Sequence, residues 1–209
     1  MKAKLEVVSG FLGSGKTSFI NAYLNTEMCL GKNILIILLE SGASRIRSNL
    51  KNVKVVYLEE TEKLKKLLLK EIIENEYSKI IIELNGTNSL NIIGEVLKDK
   101  QLRQKINFYG SYYIGDCKNL KLYLKNLGEI IIPFIQSSKL IILNNIAILE
   151  KSEQNDLINI IEEINLTAPI VLSNSPSTLD TEIKSSKYFK EGTSIKKIKS
   201  LLYKKEVVK

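Results

Sequence analysis

The chain has 209 residues, enough for one sizeable core and too few for two ordinary domains, so a single domain over residues 1–209 is expected. Apolar residues make up 44% of it and charged residues 26%; no run approaches the ~18 apolar residues of a membrane span, and the opening MKAKLEVVSG lacks a secretory signal's apolar stretch, so the expected compartment is the cytoplasm. The net charge of +8 comes from lysines scattered along the whole chain, with no aromatic-studded basic stripe, which fits a solvated surface better than a nucleic-acid interface.

Only two cysteines occur, Cys29 and Cys117, too few and too far apart for a disulfide framework. There is no histidine, which removes the commonest transition-metal ligand and the commonest general base. Metal chemistry here must rely on carboxylates, hydroxyls and water, a donor set that suits magnesium better than zinc.

In chain order, KLEVVS at 4–9 is a short apolar run ending at a glycine loop and reads as a strand. A helical pattern follows over 16–26. NILIILLE at 33–40 is almost continuously apolar, as in a strand buried on both faces of a parallel sheet, and VKVVYL at 53–58 is a further strand. Residues 61–76 place Leu64, Leu67, Leu68 and Ile72 on one helical face, with Thr61 as cap. KIIIEL at 79–84 is a third long buried strand, and one helix is expected over 87–104. INFYGSYYIGD at 106–116 is aromatic and β-rich, with Gly110 positioned to bulge or break it. A strand at 139–144, an amphipathic helix at 150–164, a strand at 168–173 and a helix at 194–204 complete the chain. This alternation predicts an α/β fold: a single P-loop NTPase domain, mainly a parallel sheet with helices on both faces.

Between the first strand and the first helix stands SGFLGSGKTSF, residues 9–19, in which Gly10, Gly13, Gly15, Lys16 and Thr17 satisfy G-x-x-x-x-G-K-[ST]. Such a loop wraps phosphate in backbone N–H groups, so its glycines must allow close approach and positive φ. The following helix points its positive end at the anion. Gly13, Ser14, Gly15, Lys16, Thr17 and Ser18 are therefore the candidate nucleotide-binding residues, with Lys16 on the β and γ phosphates and the Thr17 hydroxyl on Mg2+. A phosphate loop also needs an acid for the metal at the end of another buried strand. Glu83, followed by Gly86, and Glu40, followed by Gly42, both fit, as metal ligands and as catalytic groups beside Lys16.

With these pieces in place, VVSGFLGSGKTSFINAYL, ILLESG, IIIELNG, YYIGDC and SSKLIILNN resemble, in order and spacing, the CobW-type GTPases that include UreG and HypB. The resemblance runs from about residue 4 to about 172. It implies a P-loop domain that often dimerises with its nucleotides near the interface, and that couples GTP hydrolysis to delivery of a metal or cofactor to a client protein. Three departures accompany it. The family's guanine motif N-K-x-D reads Asn144, Asn145, Ile146, Ala147 here, leaving Asn144 to touch the base edge; GTP and ATP therefore both stand as ligands. The family's cysteine cluster is missing, and Glu59, Glu60 and Glu62 stand in that stretch, either as the acidic first turn of a helix or as a carboxylate metal site. The third is length: CobW proteins proper carry a further C-terminal domain, whereas about one helix and a basic tail are expected after residue 172. Cys117 and the Tyr109, Tyr112, Tyr113 set are read as packing.

The expected activity is magnesium-dependent binding and slow hydrolysis of GTP or ATP by a switch or maturation factor. The alternatives are a nucleotide-binding regulatory or scaffolding module without hydrolysis, and a small-molecule kinase using Arg45 and Arg47.

Overall fold

The structure, a computed structural model, describes residues 1–39, 45–47, 50–84, 86 and 90–190. Its centre is a seven-stranded parallel sheet: β1 (Ala3–Ser9), β2 (Ile34–Leu38), β3 (Val53–Tyr57), β4 (Lys79–Glu83), β5 (Ile106–Asp116), β6 (Ser138–Asn144) and β7 (Ile170–Leu172), in the order β3-β2-β4-β1-β5-β6-β7. Every residue of β2 and of β4 is buried, as their unbroken apolar runs require once helices cover both faces.

On one face, Leu5, Val7, Ile37, Ile80, Ile82, Ile141 and Leu143 form a core with α2 (Leu64–Glu74), α3 (Asn91–Lys98), α5 (Leu120–Ser137) and α6 (Lys151–Ile164). On the other, Val8, Ile34, Ile36, Ile81, Ile114 and Ile142 meet α1 (Lys16–Leu24) and α7 (Leu179–Ser185). Among the described residues no helix is long and apolar enough to cross a membrane.

Several elements differ from the sequence expectation. The expected helix over 87–104 is two helices, α3 and α4 (Lys100–Lys105), broken where the Asp99 side chain accepts the Gln101 and Leu102 N–H groups and so caps α4; residues 87–89 lie outside the described ones. Thr61 does not cap α2. It opens a 3-10 turn, Thr61–Lys63, that precedes the helix. α5 and α7 occupy segments to which no element was assigned. Gly128, Pro133 and the β-branched Ile130–Ile132 obscure the helical period of α5, and its backbone kinks at Leu127. The helix expected at 194–204 lies outside the described residues.

Gly110 does mark a bulge. Leu5 pairs with Phe108 and Glu6 with Gly110, so Tyr109 is the extra residue. A Cβ on Gly110, at φ +147, would sit 2.4 Å from Lys139 Cδ. Beside it a buried polar cluster interrupts the core. Glu6 on β1 pairs with Lys79 on β4 at 2.8 Å and accepts hydrogen bonds from the Tyr23 and Tyr112 hydroxyls. Burial raises both tyrosine hydroxyls well above their ordinary pKa.

Candidate phosphate-binding site

β1 ends at Ser9, and the chain turns through Gly10–Gly15 into α1. Three glycines of this loop adopt backbone angles that L-residues rarely hold: Gly10 at φ 142, Gly13 at 77 and Gly15 at 99. Two of them also lack room. A Cβ on Gly10 would lie 2.1 Å from the Ile114 carbonyl oxygen, and one on Gly15 would lie 2.6 Å from Asn144 Nδ2. Around Gly13 a Cβ would meet nothing within 4 Å, so the loop is open there. α1 carries no acidic residue in its first turn, which leaves its positive N-terminal field directed at the loop. Ser18 is half-buried in that first turn.

Lys16 is buried, and its ammonium donates to the Phe11 carbonyl at 3.0 Å. The same carbonyl accepts the Ser14 N–H at 3.1 Å. Thr17 Oγ1 lies 3.1 Å from each carboxylate oxygen of Glu83. That meeting follows from strand register: Val8 pairs with Glu83 across β1 and β4, so the carboxylate emerges beside the loop that β1 feeds. Gly86 closes the back, where a Cβ would lie 2.7 Å from Phe11 Cα and 2.9 Å from the Gly10 carbonyl oxygen. The structure thus brings Gly13, Ser14, Gly15, Lys16, Thr17 and Glu83 together. Glu40 lies outside the described residues.

Asn144 ends β6 fully buried. Its Nδ2 donates to the Ser14 carbonyl at 3.1 Å, and its Oδ1 accepts the Asn145 N–H at 3.0 Å. Both ends of the amide are engaged within the protein, so its geometry braces the loop. Asn145 follows in the left-handed region at φ 59 and donates to Asp116 Oδ1 at 2.8 Å. Ile146 is buried and donates its N–H to the Ser173 carbonyl, which sets the 173–177 loop beside the 144–147 turn; Ala147 is exposed.

The donor set suits a nucleotide with magnesium. Ser14 Oγ is buried with no hydrogen-bond partner, an orphaned group that an anion in the loop would satisfy. The Thr17 hydroxyl and the Glu83 carboxylate are hard oxygen donors of the type magnesium takes. Thiol chemistry does not fit. Burial pushes Cys29 up to about 11 and Cys117 up to about 12, which keeps both protonated. Among the described residues no group of three or more histidine, cysteine, aspartate or glutamate side chains could hold a metal ion, so Glu59, Glu60 and Glu62 do not form such a cluster. Instead Glu60 pairs with Lys63 at 2.5 Å on the surface.

The family profile described as "CobW/HypB/UreG, nucleotide-binding domain" matches residues 4–172, from the first strand to the last residue of β7. The chain belongs to the CobW/HypB/UreG family. The resemblance read from the phosphate loop and from Glu83 to Gly86 therefore holds across the sheet, and α7 lies beyond the matched segment on the α1 face. No curated protein matches the chain by sequence. Solved structures share the fold at low identity. The Zn(II)-bound YjiA GTPase from E. coli matches with a TM-score of 0.63 and 20% identity over 81% of this chain and 57% of its own. The hydrogenase maturation factor HypB from Archaeoglobus fulgidus matches with a TM-score of 0.52 and 16% identity over 82% and 80%. FlhF complexed with GMPPNP/Mg2+ matches with a TM-score of 0.53 and 16% identity over 84% and 67%. This chain thus spans little more than half the length of YjiA.

The CobW/HypB/UreG reading of the sequence did not reach Tyr123 on α5. Its ring stacks on Phe11 of the phosphate loop, centroid to centroid 4.5 Å at 23°. The only hint in the sequence was an aromatic residue, Phe11, inside a glycine-rich loop that offers it no local packing partner.

Proposed function

We propose that this chain is a magnesium-dependent nucleoside triphosphatase of slow intrinsic turnover, working in the cytoplasm as a switch or maturation factor for a metal- or cofactor-containing client. One observation carries the reading: Lys16, the Thr17 hydroxyl and the Glu83 carboxylate converge on a glycine loop whose Ser14 hydroxyl is buried without a partner.

Hydrolysis joins a water oxygen to the γ phosphorus and breaks its bond to the β–γ bridging oxygen. Negative charge grows on the bridging and γ oxygens. Lys16 and the N–H groups of the loop would stabilise it. Thr17 and Glu83 would hold magnesium, directly or through water, and the ion would supply charge neutralisation for the phosphate oxygens. Glu83 or Glu40 would orient the attacking water and take its proton. YjiA, a Zn(II)-bound GTPase, and HypB, a hydrogenase maturation factor, motivate the client role. As in the family resemblance, the working form is a homodimer.

A second reading, a nucleotide-binding module without hydrolysis, is favoured by the scarcity of catalytic side chains. The chain has no histidine. Gln101, Gln104 and Gln136 precede β5 and β6 and so lie at the opposite edge of the sheet, while Gln154 is bound to the Ile146 and Leu149 carbonyls.

Phosphate release and binding of non-hydrolysable analogues, measured with GTP and ATP with and without magnesium, separate the two. Slow release that requires magnesium and disappears in Lys16→Ala supports the first. Binding without release supports the second. Absence of binding to either nucleotide overturns both.

A further inference from the structure

We infer that Tyr123 is a positioning residue for the phosphate loop, holding Phe11 so that the Phe11 carbonyl can organise Lys16 and Ser14. The inference deepens the nucleotide-binding reading and rests on it for its binding arm. Phe11 is the point where the loop's contacts converge. Its carbonyl accepts both the Lys16 ammonium, at 3.0 Å, and the Ser14 N–H, at 3.1 Å. Its Cα is backed by Gly86, where no side chain would fit. Its ring is held from the front by Tyr123, near-parallel at 4.5 Å.

Gly10 before it and Gly13 two residues after it do little to fix this residue, because glycine backbone is the least restrained in the chain, and Leu12 between Phe11 and Gly13 is exposed. Orientation must therefore come from the side chain. Tyr123 stands on the first turn of α5, its N–H bonded to the Asn119 carbonyl at 2.9 Å, on a helix anchored in the core by Leu120 and Ile131. The opposite flank has its own brace, Asn144 on the Ser14 carbonyl. The loop is thus clamped at Phe11 and at Ser14 by two side chains that come from neither β1 nor α1. The Tyr123 hydroxyl takes no part in the stack, so phenylalanine should serve as well, whereas leucine keeps the bulk and loses the flat face.

The test compares the wild-type full chain with Tyr123→Phe and Tyr123→Leu. Amide hydrogen exchange is first measured without nucleotide. Tyr123→Leu should speed exchange across residues 10–16 about tenfold while the amides of β2 and β4 stay as in the wild type, and Tyr123→Phe should match the wild type. Titration with GMPPNP, GDP and GMP forms the second arm. Tyr123→Leu should lose affinity by about 3- to 10-fold for the triphosphate analogue, the size expected for an aromatic pair, and progressively less for GDP and GMP. Unchanged exchange at 10–16 in folded Tyr123→Leu overturns the inference. So does an affinity loss equal for all three nucleotides, or failure of the variant to fold, since either marks a residue the whole structure needs. If the wild type binds no nucleotide, the functional reading fails while the exchange arm still decides the role of Tyr123.

Discussion

The Thr17 hydroxyl and the Glu83 carboxylate sit 3.1 Å apart although 66 residues separate them in the chain. Parallel pairing of β1 with β4 is what joins them, through the register of Val8 with Glu83. Both are buried, and together they present the hard oxygen donors that magnesium takes. Glu83→Gln should keep the fold and nucleotide binding but lose most of the magnesium dependence of binding, and any turnover. Isothermal titration with and without magnesium checks this. If Glu40→Gln shows the effect and Glu83→Gln does not, the roles are reversed.

Lys16→Ala removes a charge-assisted contact to phosphate worth ~1.5–3 kcal/mol, so nucleotide affinity should fall at least tenfold. The fold should survive, since the ammonium donates to the Phe11 carbonyl within the same loop. Fluorescent-nucleotide binding together with circular dichroism measures both. A folded variant of unchanged affinity would remove the phosphate assignment.

The Asn144 amide is engaged at both ends, by the Ser14 carbonyl and by the Asn145 N–H. Asn144→Ala would leave a buried carbonyl unpaired at a cost of roughly 1–3 kcal/mol and slacken the loop. Affinity for GTP and ATP analogues should fall by the same factor. A selective loss of one base would show instead that Asn144 reads the base edge.

Glu6 and Lys79 form a fully buried ion pair at 2.8 Å, with the Tyr23 and Tyr112 hydroxyls on the same carboxylate. Removing one partner strands the other charge in the core, so Glu6→Leu should destabilise the protein by about 3–5 kcal/mol. Adding Lys79→Met should recover most of that loss. Urea denaturation of the single and double variants tests it; equal stabilities for the two would mean that the stranded charge is not the cause.

How much of this was legible in the sequence depends on where each restraint lies. The phosphate loop was, because its demands are local: glycine where φ is positive, lysine and threonine at the helix start. β2 and β4 were too, since burial on both faces leaves an unbroken apolar run. Glu83 was readable as an acid at a strand end, but its distance to Thr17 comes from register, which no single segment encodes. α5 was hidden by Gly128, Pro133 and three consecutive isoleucines, and with it went Tyr123, whose partner lies 112 positions away in the chain. Asn144 was recognisable by its place at the end of β6, and only the packed structure reveals that its amide holds Ser14.

The family resemblance implies an N-K-x-D guanine motif that reads Asn144, Asn145, Ile146, Ala147 in this chain. The turn after β6 presents Asn145 in the left-handed region, its amide on Asp116, and then a buried Ile146 and an exposed Ala147. An aspartate at 147 would accept hydrogen bonds from guanine N1–H and its exocyclic amine, and such a buried charge-assisted pair contributes roughly 3 kcal/mol, or more than a hundredfold in affinity. Alanine offers nothing comparable. The neighbouring 173–177 loop is held to the turn by the Ile146 N–H on the Ser173 carbonyl, and it is where main-chain substitutes for that contact would come from. The expected outcome is less than a tenfold preference for GTP over ATP in competition between GMPPNP and AMPPNP. The double change Asn145→Lys with Ala147→Asp should raise the affinity for GMPPNP while leaving that for AMPPNP in place. A wild-type protein that already prefers GMPPNP a hundredfold would refute this and mean that the base site lies elsewhere. A double variant with no gain for guanine would mean that the turn after β6 does not face the base.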